Sequence, residues 1–222
     1  MENKVTDNVI EFEIPKSKKH IFISGSIGVG KTTLISSLKL QLEDKYGFTD
    51  ELLEDELIDL FYDELIEPKR SIELNLQLKK FHQTIYNEYR GKKQLYIYDR
   101  GIVDPITFSS LYHKYNKNAD LKREIKYIIN LVKRDLNSFL KERSYLILLD
   151  DKTTDIWKRI EKRNRDFEKN LPLYLVENFT KFYLKLAAKL GFENVYVVNV
   201  NNLTKEEVVQ KVKKIIGEID AI

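Results

Sequence analysis

Gly25-Ser26-Ile27-Gly28-Val29-Gly30-Lys31-Thr32 fills the pattern G-x-x-x-x-G-K-[ST], a phosphate-binding loop in which each residue type has a physical task. Glycines at 25, 28 and 30 let the backbone turn so that several N–H groups, those of Ser26, Val29 and Thr33 included, converge on one anion. Residues 33–42 have helical character, so unpaired N–H groups and the positive end of a helix dipole face the same anion. Lys31 is placed to reach the β- and γ-phosphates, and the Thr32 hydroxyl to ligate Mg²⁺. A plain glycine-rich turn would need neither the Lys-Thr pair nor a strand before it and a helix after it. The motif implies a bound nucleoside triphosphate and Mg²⁺.

Two further groups of residues suit phosphoryl transfer. The apolar run Leu95-Tyr96-Ile97-Tyr98 ends in Asp99-Arg100. An acid at the carboxyl end of a parallel strand can hold the metal or its water, and the adjacent arginine would supply a fixed cation near the transferring group. Arg159 and Arg163 stand four apart on a helix beginning near Thr153, so they share a face, and Arg165 follows at its end. Converging guanidiniums would neutralise charge as a phosphoryl group moves; a solvated basic face with Lys158 and Lys162 is the alternative reading. Residues 47–67 carry nine acids and no Lys or Arg, which suits a carboxylate general base for a hydroxyl nucleophile. Glu54, which closes the apolar pair Leu52-Leu53, is the first candidate, with Glu56 and Glu51 as alternatives.

The elements that must position these residues follow from apolar periodicity. Strand-like runs at 21–24, 95–98, 145–149 and 195–200, with a weaker one at 48–53, alternate with helical patterns at 74–89, 121–143 and 205–216. Thr204 is the expected N-cap of the last helix. The alternation predicts an α/β fold, a parallel sheet of about five strands covered by helices on both faces. Residues 1–19 read as a solvated flexible tail and 20–222 as a single domain.

Composition narrows the partners. With 38 basic and 35 acidic residues, the formal charge of +3 gives no reason to expect nucleic acid or a membrane surface. No apolar stretch approaches the ~20 residues that span a bilayer, and an intracellular, cytoplasmic protein is expected. The chain has no cysteine, so thiolate chemistry and disulfides are excluded. His20, His82 and His113 share no metal-ligand spacing.

On these motifs the chain resembles the deoxynucleoside kinase family over most of residues 20–200. The phosphate loop is similar, Asp99-Arg100 matches the family's Asp/Glu-Arg-Ser motif with Gly101 where Ser or Thr is usual, and Arg159 through Glu168 with Leu171-Pro172-Leu173 looks like the family's arginine-rich lid. The resemblance implies a P-loop NTPase-type fold with a helical lid and transfer of the ATP γ-phosphate to a deoxynucleoside 5′-hydroxyl, in a homodimer. It implies that Arg159, Arg163 and Arg165 close over the phosphates and that Glu168 accepts from the sugar 3′-hydroxyl. It implies that Gln77 binds the base, with Asp104 and Phe108 beside it. An arginine expected seven residues after that glutamine is Thr84 here.

The nearest rival is thymidylate kinase or another nucleoside monophosphate kinase, which must hold a second dianionic phosphate near the same strand end. Like unit charges ~4 Å apart cost about 4 kcal/mol at an effective dielectric of 20, so the acidic segment disfavours it unless an arginine such as Arg70 or Arg90 is brought in. A non-catalytic P-loop switch is the reading from another class, and it has no use for three lid arginines and a sugar-binding glutamate.

Overall fold

Ile21 and Ile23 point to one side of a strand and Phe22 and Ser24 to the other, and all four are buried, the pattern of a strand covered on both faces. That strand, β1 (Lys19–Gly25), sits at the centre of a parallel sheet whose other members are β2 (Gly47–Thr49), β3 (Leu95–Asp99), β4 (Ser144–Asp150) and β5 (Asn194–Asn199), in the order β2-β3-β1-β4-β5. The computed structural model describes residues 18–49, 84, 86–88, 90–117, 119–164 and 172–222. β1 begins two residues before the apolar run, so Lys19 joins the sheet, and Lys18, 9% exposed, donates to the Asn87 carbonyl at 3.1 Å. Of the weak strand expected at 48–53, residues 47–49 are strand and the remainder lies outside the described residues.

The helices are α1 (Lys31–Leu42), α2 (Val103–Asn116), α3 (Ala119–Glu142), α4 (Thr153–Arg163), α5 (Leu173–Glu177), α6 (Phe179–Leu190) and α7 (Lys205–Ala221). Residues 84, 86–88 and 90, inside the helix expected at 74–89 or just past it, are helical as well. α7 runs beyond the expected end at 216, and Thr204 caps it: its side chain accepts from Glu207 N–H while Glu207 accepts from Thr204 N–H. α2 and α6 have no counterpart among the periodic segments read from sequence.

Two apolar layers flank the sheet. Ile21, Ile23, Ile97 and Ile147 pack with Leu34, Ile35 and Leu38 of α1 and Val209, Val212 and Ile216 of α7. Phe22, Tyr98, Leu146 and Leu148 pack with residues of α2, α3, α5 and α6, and this second layer also takes in Ile156 and Ile160 of α4. The sheet is therefore covered on both faces, as the alternation predicts. β1 has β3 on one side and β4 on the other, so the connections leave its carboxyl end in opposite directions. In open parallel sheets that end is where a crevice opens for ligands.

Candidate active site

The phosphate loop leaves β1 at Gly25 and enters α1 at Lys31. Gly30 caps the helix in a left-handed conformation, φ 106, that a side chain would resist. Gly28 matters for proximity: a Cβ there would lie 2.8 Å from Ile160 Cγ1 and 3.2 Å from Ile156 Cγ2. α4 thus rests directly on the loop. Ser26 and Val29 are buried, and Val29 N–H donates to the Ser26 carbonyl at 3.4 Å. Lys31 lies back over its own loop, donating to the carbonyls of Gly25 at 2.7 Å and Ser26 at 2.8 Å. Its ammonium is therefore held at the loop mouth, with 5% of the residue exposed. Thr32 and Thr33, in the first turn of α1, are exposed, and their hydroxyls are hard oxygen donors of the kind Mg²⁺ takes.

Asp99 ends β3 in register with Ile23 of β1, which sets its buried carboxylate beside the start of the loop. Arg100 N–H donates to the Ile23 carbonyl at 3.0 Å, joining the two strand ends. Arg100 itself is left-handed, φ 67, a conformation that costs a non-glycine residue of order 1–2 kcal/mol and persists only where surroundings impose it. Its guanidinium lies 3.5 Å from Asp104 Oδ1 and 5.8 Å from the centroid of the Phe108 ring. Asp104 and Phe108 are one turn apart on α2 and so face the same side. Asp104 is 1% exposed; its Oδ2 accepts from Ser24 Oγ at 2.5 Å and from Gly101 N–H at 3.0 Å. Phe108 packs on Phe179 of α6 with centroids 4.9 Å apart.

α4 presents Arg159 and Arg163 from the same turn-spaced face. Arg159 pairs with Asp151, whose side chain is 2% exposed, just past the end of β4. Arg163 is exposed at the last turn, where Asn164 closes the helix in a left-handed cap, φ 49. The loop, the Asp99-Arg100 turn and the arginine-bearing helix thus meet at the carboxyl edge of β1, β3 and β4.

A sequence model of the family described as "Deoxynucleoside kinase" matches residues 21–222. The chain belongs to the deoxynucleoside kinase family. It is similar to a deoxyadenosine kinase of Dictyostelium discoideum, 30% identical over 169 residues that make up 74% of this chain and 64% of that enzyme. The chain therefore matches just under two thirds of that relative's length. A deoxyguanosine kinase of Bacillus subtilis (strain 168) is 28% identical over 168 residues, 73% of this chain and 75% of that one. Among solved structures, deoxyadenosine kinase from M. mycoides with bound dATP has a TM-score of 0.72 at 20% identity, covering 90% of this chain and 99% of that chain. A thymidylate kinase from Candida albicans has a TM-score of 0.66 at 16% identity, with 92% and 93% covered. At such identities these two likenesses establish the fold, which both kinds of kinase share.

Of the residues that the deoxynucleoside kinase pattern singles out, Glu54 with its alternatives Glu51 and Glu56, Gln77, Arg165 and Glu168 lie outside the described residues. The others fall around the one strand edge. Three side chains had no motif to announce them. Ser24, the residue before the phosphate loop, bridges Asp104 and the hydroxyl of Tyr183, which donates to Ser24 Oγ at 2.8 Å. Burial and the nearby Asp104 carboxylate push the Tyr183 phenol well above its usual range, so it stays a donor. Thr180 donates to Asp150 Oδ1 at 2.7 Å, tying α6 to the end of β4. The signal that could have found Tyr183 is its helical spacing from Phe179, Leu186 and Leu190, since a tyrosine on a covered helix face must find a partner for its hydroxyl.

Proposed function

We propose that this chain transfers the γ-phosphate of ATP to the 5′-hydroxyl of a deoxynucleoside. The observation that carries the reading is the convergence of Lys31, the Asp99-Arg100 turn and the Arg159 helix at one sheet edge, in a chain of this family. The loop glycines with Ser26, Val29 and Thr33 cradle the phosphates, and Lys31 moves from the loop carbonyls to the β- and γ-oxygens. Arg100 stabilises charge on the transferring group, and Arg159, Arg163 and Arg165 neutralise it from the other side. Glu54, or in its place Glu56 or Glu51, removes the proton of the 5′-hydroxyl. Glu168 accepts from the sugar 3′-hydroxyl, Gln77 holds the base with Phe108 beside it, and Asp104 holds Arg100. Thr32 and Asp99 are the residues that would hold Mg²⁺, which supplies further charge neutralisation at the phosphates.

We also infer a homodimer acting in the cytoplasm. Tyr86, 61% exposed, and Tyr127 of α3, 66% exposed, support a helix-packed interface, and no helix among the described residues is long and apolar enough to cross a membrane. Phosphate transfer from labelled ATP, screened against the deoxynucleosides and their monophosphates, tests the activity. Monophosphate made from a nucleoside is the expected product. Activity confined to monophosphate acceptors would replace this reading with a thymidylate-kinase-like one, and hydrolysis indifferent to any acceptor would favour a P-loop switch.

A further inference from the structure

Arg100 holds a left-handed backbone, φ 67, on the turn that its own N–H ties to the Ile23 carbonyl, two residues before the phosphate loop begins. The bonds that fix this turn lead away from the site. The next peptide, Gly101 N–H, donates to Asp104 Oδ2 at 3.0 Å, and the Arg100 guanidinium lies 3.5 Å from Asp104 Oδ1. Asp104 Oδ2 also accepts from Ser24 Oγ at 2.5 Å, and Ser24 Oγ accepts from Tyr183 at 2.8 Å. Asp104 is 1% exposed, and Ser24 and Tyr183 are 0% exposed. One chain of bonds therefore joins α6, β1, α2 and the turn after β3.

Its direction is determined. A carboxylate only accepts, so the Ser24 proton goes to Asp104, and a Ser24 lone pair is left for the Tyr183 proton. Ordinary core packing does not call for these groups. A phenylalanine at 183 and an alanine at 24 would keep most of the same volume with no buried hydroxyl to satisfy, and the other inward positions of α6 are Phe179, Leu186, Ala187 and Leu190. The polar atoms gather instead on the carboxylate beneath the left-handed Arg100.

We propose that Tyr183 and Ser24 are positioning residues for phosphoryl transfer, acting through Asp104 to hold the Arg100 turn. The proposal rests on the role given to Arg100 above. It separates these two hydroxyls from Thr107, which is equally buried on α2 but donates to the Val103 carbonyl at 2.7 Å, within its own helix.

Tyr183→Phe keeps the ring and deletes the donor. The expected result is a kcat lower by about tenfold, because a displaced catalytic group loses its effect steeply with distance, while KM for ATP and for the nucleoside stays within about twofold. Thr107→Val, the matched deletion, should leave kcat unchanged. In an Arg100→Lys background, Tyr183→Phe should add less than about twofold, since both changes act on one interaction. Independently of turnover, amide exchange at Gly101, read by NMR, should accelerate in Tyr183→Phe and in Ser24→Ala. Unchanged kcat in Tyr183→Phe, equal losses with and without Arg100, or unaltered Gly101 exchange would each overturn the proposal. If the wild-type chain phosphorylates no nucleoside, the functional reading falls, and Gly101 exchange alone decides whether the hydroxyls hold the turn.

Discussion

The ring of Phe22 stands where a side chain at position 101 would begin. A Cβ on Gly101 would lie 2.8 Å from Phe22 Cδ1 and 3.0 Å from Cγ. Phe22 is itself wedged by stacking on Tyr98 at 4.9 Å and by the edge of Phe192 at 6.3 Å. The residue following the Asp-Arg pair is thus kept small by an aromatic from β1. Gly101→Ser should destabilise the fold by about 1–3 kcal/mol, the usual cost of overpacking, and lower kcat because Arg100 is its neighbour. Phe22→Leu in the same chain should recover part of both. Urea unfolding and steady-state kinetics of the single and double variants check this; a stable, fully active Gly101→Ser would show that the ring yields freely.

Lys31→Ala removes a cation held at the loop mouth. A loss of about 3–4 kcal/mol of transition-state stabilisation corresponds to a fall in kcat of a hundredfold or more. Near-normal kcat with ATP would rule out the assignment of Lys31 to the phosphates.

Glu54→Gln preserves shape and hydrogen bonding but not basicity. A large fall in kcat with little change in nucleoside KM is expected if the carboxylate acts mainly in the transition state. Should Glu56→Gln or Glu51→Gln give that pattern instead, the base is there.

Arg159 and Asp151 form a lopsided pair, with side chains 41% and 2% exposed. Arg159→Ala leaves the buried carboxylate without its guanidinium, so the variant should lose about 1–2 kcal/mol, after allowing for solvent around the arginine. Arg163→Ala, at an exposed position, should cost little stability. Both should lower kcat, and combining them with Arg165→Ala should give less than the sum of the single effects, because the three act on one charge. Asp151→Asn combined with Arg159→Ala should restore most of the stability and none of the activity. Additive kinetic effects would mean that the arginines do not share a target.

His20 couples stability to pH. It is 0% exposed, with Nε2 2.9 Å from Glu88 Oε2 and Nδ1 2.7 Å from the Tyr98 hydroxyl. Burial lowers its pKa from 6.5, against the opposing pull of Glu88, and burial raises that of Tyr98. Tyr98 therefore donates to Nδ1, and neutral His20 donates from Nε2 to Glu88. With the folded value below the unfolded one, the unfolded chain binds the proton more readily. The contribution is complete above pH ~6.5 and is lost as pH falls toward the depressed folded value. Tm should drop between pH 7.5 and 5.5, and by less in His20→Gln. Equal drops in both would assign the effect to other groups.

The parts of the site legible in sequence were those built from neighbours along the chain. The strand–loop–helix around Lys31 and the Asp99-Arg100 strand end are local patterns, and they appear where the spacing puts them. α2 was hidden because its composition masks it. Pro105 stands in its first turn, where a missing N–H is harmless, and Thr107, Ser109 and Ser110 break the apolar period. Each of these hydroxyls bonds the carbonyl four residues back, at 2.7, 2.8 and 2.6 Å, so polar residues pass into a covered helix. His20, read as an isolated histidine, meets Glu88, itself paired with Arg143, only after folding. Ser24 and Tyr183 are likewise distant in sequence, and no periodicity reports such a contact.

The central place of β1 has a consequence for synthesis. Its neighbours are Leu95 for Lys19 and Ser144 for His20, so β1, the first of the described strands, must wait for β3 and β4, the third and fourth. β1 ends at Gly25 and β4 at Asp150. At ~5–20 residues per second, translation takes roughly 6–25 s to cross that interval. Throughout it the apolar run from Ile21 to Ile23 has no strand on its β4 side, exposed to pairing with any other extended chain nearby. Production of this protein should therefore be limited by how the nascent chain is shielded more than by the stability of the finished sheet.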